Sequence, residues 1–289
     1  MDIQQTIRKA AQTVVAGVEI REMNAVSGGD INDAFVVETD KDRLFVKVNT
    51  GVPADFFEKE ARGLEELRNS GVVHVPEVLA YNREEDQERF LVLSYIESSP
   101  GRKSDKMLGE QLASLHNVTK SFYGLSYDNY IGTFKQENGE YVSWVDYFRE
   151  KRLLTQIRLA QSNGYLDDKQ AKHHFLLADK LNSWLPDQPG SSLLHGDLWG
   201  GNKMTDKLGR PVLIDPAILY GDRQMDLAMT ALFGGFSDTF YEAYETASGE
   251  KLDQEIWPLY QLFYVYMHLN KFGTSYLAHA ERIVKRFVG

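Results

Sequence analysis

The sequence predicts an α+β protein in two lobes: a small, five-stranded antiparallel β lobe with one key helix over residues 1–96, and a larger, mainly helical lobe over 97–289. Three observations predict it. Short apolar runs with strand alternation, parted by turn-forming residues, crowd the first third of the chain. Apolar residues at helical spacing dominate the remainder. Between the two textures lies the polar segment ESSPGRKSD, which carries Pro and Gly as a hinge or linker does.

Ile3, Ile7, Ala10, Ala11, Val14 and Val18 recur at helical spacing and open the chain with an amphipathic helix. Three strands follow, EIREMNAV, INDAFVVET and RLFVKVN, joined by SGGD and by a turn at Asp40 to Asp42, as an antiparallel meander. From Pro53 to Asn69 a helix aligns Phe56, Phe57, Ala61, Leu64 and Leu67 on one face, and Gly71 stops it. VPEVLAY and RFLVLSYI, parted by the acidic turn REEDQE, complete the five strands. Beyond the hinge, helices are expected at Lys106–His116, Ser143–Asn163, Asp167–Leu185 and Asp222–Phe233, with a pair across Asp253–Phe287. One interruption, LLHGDLWGGNKMTDKLGRPVLIDPA, reads as short strands.

Composition narrows the function. A formal net charge of -10 argues against a nucleic-acid partner, which normally demands a basic face. The chain has no cysteine, which removes disulfides, thiolate metal sites and a cysteine nucleophile, and suits a reducing, cytoplasmic setting. No signal-peptide pattern opens the sequence, and no run reaches the ~20 apolar residues of a membrane span. The richest run, WPLYQLFYVYMHLNKF, is broken by Gln261, His268 and Asn270.

The segment HGDLWGGN, His195 to Asn202, carries the densest chemistry. A hairpin formed by NKMT and PVLID would set Asn202 opposite Asp215, with Asp197 in the loop that feeds it. Two carboxylates ~4 Å apart repel by roughly 4 kcal/mol at an effective dielectric of about 20, so their convergence calls for a shared proton or a cation, and oxygen ligands favour Mg²⁺. The plain alternative is that Asp197 and Asp215 are turn and cap residues.

Strand alternation separates Leu44, Val46 and Val48 from Phe45, Lys47 and Asn49. Glu60 lies within the apolar stripe of the next helix and wants a cation, for which Lys47 is the natural candidate; snorkelling to solvent or pairing with Arg62 or Arg68 is the alternative. Ser27, Gly28 and Gly29 could cradle a phosphate with backbone N–H groups, or form an ordinary hairpin turn; there is no P-loop. Asp222 can cap a helix that carries Asp226 one turn later, and a solvated helix start is the alternative for both. The seven histidines show no zinc-ligand spacing.

In this order, a β-rich lobe with a glycine turn, Lys47, Glu60, a hinge and then HGDLWGGN with IDPA, the chain resembles the kinase-like phosphotransferases that include aminoglycoside and choline kinases. HGDLWGGN, the run DPAILYGDRQMDLAMTALFGGF from Asp215, EARGLEEL from Glu60 and FYGLSYDNYIGT from Phe122 look like the fructosamine kinase (ketosamine kinase) family. The resemblance implies a protein-kinase-like fold and ATP-dependent phosphorylation of a ketosamine hydroxyl, usually O3, leading to deglycation. It makes Asp197 the catalytic aspartate, Asn202 and Asp215 the Mg²⁺ pair, Lys47 the ATP-phosphate lysine and Glu60 its partner. Adenine would lie against Ser94, Tyr95 and Ile96, Trp199 would stack on the sugar or its amine, and His195, Asp222 and Asp226 would support the loop.

There is one departure from the family pattern. The glycine turn, SGGDIN, offers Asp30 where relatives often carry a cysteine, so no disulfide-linked dimer is expected; monomer and homodimer stay open. DPA replaces the kinase DFG. The ketosamine could be free or protein-bound. A kinase for an aminoglycoside, choline or another small amine or alcohol, and a nucleotide-binding pseudokinase, are the competing readings.

Overall fold

The structure is a computed structural model that describes residues 3–14, 16–26, 31–99 and 104–289. Its first part runs α1 (Ile3–Val14), β1 (Ile20–Val26), β2 (Asp33–Thr39), β3 (Arg43–Val48), α2 (Phe56–Asn69), β4 (Val78–Tyr81) and β5 (Phe90–Ser94). The five strands form one antiparallel sheet in the order β1-β2-β3-β5-β4. Alternation along β3 divides its residues as the sequence predicts. Leu44, Val46 and Val48 are buried against Ile7, Ala10 and Ala11 of α1, while Phe45 packs toward Phe56, Phe57, Ala61 and Leu64 of α2. The sheet is therefore covered by a helix on each face, and Lys47 lies on the α2 side.

The second part begins with α3 (Asp105–Leu115) and four short strands, β6 (Tyr123–Leu125), β7 (Asn129–Ile131), β8 (Phe134–Gln136) and β9 (Gly139–Tyr141). Next come α4 (Trp144–Tyr147), a π-helical stretch at Phe148–Leu153, α5 (Leu154–Ser162), α6 (Asp168–Asp179), β10 (Ser192–Leu194), β11 (Lys203–Thr205), β12 (Pro211–Leu213) and β13 (Leu219–Gly221). α7 (Gln224–Leu232), α8 (Asp238–Ser248), α9 (Trp257–Phe272) and α10 (Leu277–Val288) close the chain. Strands β10-β13-β6-β9 make a second sheet. Its core is built on aromatics: Trp144 stacks on Phe148 and donates its indole N–H to Tyr260, 3.0 Å away. Among the described residues no helix is long and apolar enough to cross a membrane.

The structure differs from the sequence expectations in four places. Strands β6 to β9 and β13 are additional, because three-residue strands are too short for alternation to register, and helix α8 is additional as well. The expected helix over 143–163 is one continuous path with a π-helical middle. The β11–β12 hairpin pairs Lys203 with Leu213, one residue tighter than expected, so Asn202 faces Ile214 and Asp215 lies one residue beyond.

Contacts on two sides help tie the parts together. The Ser99 amide donates to Thr205 O and the Lys207 amide to Glu97 O, both at 2.9 Å, so the segment after β5 is stitched to the β11–β12 hairpin. On the other side, the β7–β8 hairpin reaches back: Tyr130 donates to Asp55 at 2.8 Å and its ring meets Phe56.

Candidate active site

The HGDLWGGN loop leaves β10 and bends at once. Gly196 has φ +82°, and a Cβ there would come within 2.0 Å of the Ala217 carbonyl oxygen, so the two crossing loops require glycine at this point. The bend is held from behind by Asp226 of α7. Its carboxylate accepts the His195 amide at 2.7 Å and the Gly196 amide at 2.9 Å, with His116 Nε2 3.3 Å away. Tyr264 of α9 donates to Gly196 O at 2.7 Å.

His195 is fully buried, and burial keeps its ring neutral by depressing its pKa. Its Nε2 lies 3.0 Å from the Ile214 carbonyl, which can only accept, so Nε2 carries the proton. Nδ1 is then free to accept the Asp197 amide at 3.3 Å. One tautomer thus fixes both the loop and the strand before Asp215.

These contacts present the Asp197 carboxylate at the cleft. Asn202 donates through Nδ2 to the Asp197 carbonyl at 2.9 Å and to its Oδ2 at 3.1 Å, which turns Asn202 Oδ1 the other way. Burial, and then the nearby negative charge of Asp215, push the Asp197 pKa up to about 7, against the pull of Asn202 and the more distant Lys271. Asp215 itself has φ +54°, the one non-glycine residue in the left-handed region among those described.

Across the cleft Lys47 donates to Glu60 at 2.7 Å and also bonds Asp215. Burial disfavours its ammonium, yet Asp215 and Glu60 together outweigh that and raise its pKa. Burial likewise raises the pKa of Glu60 against the attraction of Lys47. The Lys47–Glu60 pair expected from the sequence is present; the additional bond to Asp215 joins it to the IDPA loop.

Lys47, Glu60, Asp197, Asn202 and Asp215 all line one cleft of about 1140 Å³. On one side it is walled by Ala34, Val36, Phe45 and Leu93 of the first sheet, with Ser94, Tyr95 and Ile96 at its back and Met204 and Ile214 opposite. On the other side Trp199, 41% exposed, lays its indole over Gly201 and faces a wall from α9. Ser27, Gly28 and Gly29 lie outside the described residues.

Asp222 does not line the cleft. It is buried, accepts the Gln224 amide at 2.9 Å at the start of α7 and the Tyr260 hydroxyl at 2.6 Å, and its burial raises its pKa to about 6. A solvated helix start is thereby excluded for both Asp222 and Asp226. Sequence reasoning missed the α9 wall, where Tyr264, Met267, His268, Lys271 and Phe272 line the cleft. Their spacing of three and four was a readable signal, hidden because His268 counted only as a break in an apolar run.

Among the described residues, no three His, Cys, Asp or Glu side chains gather into a self-sufficient metal cage. Asn202 and Asp215 nonetheless both line the cleft and both offer hard oxygen donors, the type that binds Mg²⁺ alongside phosphate oxygens. Burial is the main cause of the raised Asp197 pKa, and the Asp215 charge that adds to it is one that a cation at these donors would offset.

A sequence model of the family described as fructosamine kinase matches residues 2–289. A probable ketoamine kinase of Enterococcus faecium is 37% identical over 279 residues, covering 96% of this chain and 99% of its own. The chloroplastic protein-ribulosamine 3-kinase of Arabidopsis thaliana is 31% identical, covering 98% and 87%. A solved structure from Haemophilus somnus 129PT, provisionally named a fructosamine-3-kinase, superposes with a TM-score of 0.85 at 25% identity, covering 99% and 97%. An aminoglycoside phosphotransferase solved with AMP-PNP and hygromycin B shares the fold at a TM-score of 0.69 and 16% identity, covering 98% of each chain. The architecture is protein-kinase-like.

Proposed function

Because the chain belongs to the fructosamine kinase family and is a phosphotransferase acting on a sugar hydroxyl, we propose that it transfers the γ-phosphoryl group of ATP to O3 of a ketosamine, a fructosyl or ribulosyl group carried on an amine. The observation that carries this reading is the convergence of Asp197, Asn202, Asp215 and the Lys47–Glu60 pair on one cleft whose other end bears Trp199. The relatives named ketoamine kinase and protein-ribulosamine 3-kinase support the acceptor class. The AMP-PNP complex of the aminoglycoside phosphotransferase supports the nucleotide.

Residues 1–96 hold the nucleotide in this reading and residues 97–289 bring the acceptor and the base. Adenine fits the apolar walls beside Ser94, Tyr95 and Ile96. Lys47, held in place by Glu60, holds phosphate oxygens. Asn202 and Asp215 would hold Mg²⁺, which when bound offsets charge on the phosphate oxygens. Asp197 accepts the proton of the sugar hydroxyl as that oxygen attacks; a pKa near 7 suits a base that works at neutral pH. Trp199 offers its exposed indole face to the sugar or its amine.

The product explains the link to deglycation. A phosphate on O3 lies one carbon from the ketose carbonyl, so enolisation toward the amine-bearing C1 makes it a leaving group, and hydrolysis then frees the amine. The cysteine-free chain suits the reducing cytoplasm proposed as its setting.

A panel of fructosyl amine, ribulosyl amine, kanamycin and choline with Mg-ATP tests the reading, with products identified by mass and phosphorus NMR. A ketosamine 3-phosphate is the expected outcome. Phosphorylation of kanamycin or choline but no ketosamine would overturn the acceptor class; nucleotide binding with no turnover of any of the four would make the chain a pseudokinase.

A further inference from the structure

The acceptor end of the cleft contains a cation that pairs with no carboxylate among the described residues. Four lysines line the cleft: Lys47, Lys59, Lys203 and Lys271. Three are committed to carboxylates, Lys47 to Glu60 at 2.7 Å, Lys203 to Asp105 at 2.7 Å, and Lys59 to Glu58 at 3.7 Å and Asp55 at 3.9 Å. Lys271 makes no ion pair among the described residues; its ammonium rests 5.1 Å from the centre of the half-exposed Phe272 ring. It is exposed near the end of α9, where a ligand in the cleft can reach it.

Its position along α9 gives it a reach. Tyr264, bonded to the loop that presents Asp197, and Lys271 lie on the same cleft-facing stripe, seven residues or ~10 Å apart along the axis. In a ketosamine built on an α-amino acid, about six bonds separate O3 from the carboxyl carbon, ~7 Å when extended, the length of two residues of extended chain. An acceptor with O3 at Asp197 and its chain running along α9 therefore brings an α-carboxylate within reach of a lysine side chain. A ketosamine on a lysine side chain of a protein has no carboxylate at that distance.

We propose that Lys271 reads the carboxylate of the amine carrier, so that the acceptor this chain handles best is a ketosamine on the α-nitrogen of a free amino acid. The inference rests on the ketosamine reading above and narrows it. Lys271 is a specificity residue here: phosphate oxygens are served by Lys47 on the opposite wall.

The test compares fructosylglycine with fructosylglycinamide, which differ in the carboxylate alone, as acceptors with Mg-ATP. A charge-assisted hydrogen bond predicts a preference of roughly ten-fold in kcat/KM for the acid, expressed in KM. Lys271→Gln should bring the ratio near one and Lys271→Arg should retain it. Equal use of both acceptors by the wild-type enzyme, which requires no variant to fold, overturns the inference while leaving the ketosamine reading intact. An undiminished ratio in Lys271→Gln also overturns it, as does an equal fall in kcat for both acceptors, which would assign Lys271 to the phosphoryl group. Phosphorylation of neither acceptor sinks both readings together.

Discussion

Asp197 is held in conflict: it is buried enough to resist ionisation, and as the proposed base it would have to ionise to take a proton. Its pKa, raised to about 7, lies well above the ordinary carboxylate range, so the folded state binds this proton more tightly than the unfolded chain does. The stability that follows is fully present below the ordinary carboxylate pKa and is lost as pH rises through about 7. Asp197→Asn, which carries no charge, should therefore melt higher than wild type at pH 8 without Mg²⁺, by ~2–4 °C for each kcal/mol recovered, and the gain should shrink at pH 5. The same variant should lose roughly 10² to 10⁴ in kcat. An equal or lower melting temperature at pH 8 would contradict the burial argument, and near-wild-type turnover would contradict the role as base. Much of this was legible, since HGD and IDPA already place two carboxylates together. The role of His195 was not: its tautomer is set by the Ile214 carbonyl, a contact made only once two distant loops cross.

β3 and α2 show what a secondary-structure element contributes beyond its residues. Period two put Lys47 on the α2 face and period 3.6 put Glu60 in the apolar stripe, so their meeting was readable from two independent patterns. Breaking such a buried pair typically costs ~3–5 kcal/mol, because the survivor is left charged and unpaired. Lys47→Met should accordingly destabilise the protein more than Lys47→Met combined with Glu60→Leu, as read by urea unfolding. A double variant no more stable than the single one would mean that Glu60 is served elsewhere. Both should lose the proposed ATP-dependent turnover. Strands β6 to β9 were not legible, being three residues each, yet β7–β8 supplies the Tyr130 contact that brings the second part of the chain onto α2. The α9 wall was half legible: its apolar residues announced a buried helix, while the cleft-facing His268 looked like an interruption and Lys271 was not singled out.

For the molecule as a whole, the cleft is a joint. One side is stitched by backbone bonds between residues 97–99 and the β11–β12 hairpin, the other by the β7–β8 hairpin, and Lys47 bridges to Asp215 between them. A ligand that binds both walls should therefore stabilise the fold as a unit. AMP-PNP with Mg²⁺ at about a hundred times its dissociation constant adds ~2.7 kcal/mol, and the melting temperature should rise by several degrees. Omitting Mg²⁺ should reduce that rise, and in Asp215→Asn the Mg²⁺-dependent part should vanish; its persistence would remove Asp215 from the metal pair. The β-rich first third followed by a mainly helical remainder was the most legible feature, because a change of apolar period survives errors at every element boundary.

The left-handed backbone at Asp215 also bears on how this chain can change over generations. Glycine and asparagine accept that conformation readily and β-branched residues do not. If selection for phosphoryl transfer lapsed, the position could drift to Asn or Gly with the architecture intact, leaving a folded protein that has lost its chemistry. A descendant with valine there would instead be one whose whole loop had been rebuilt.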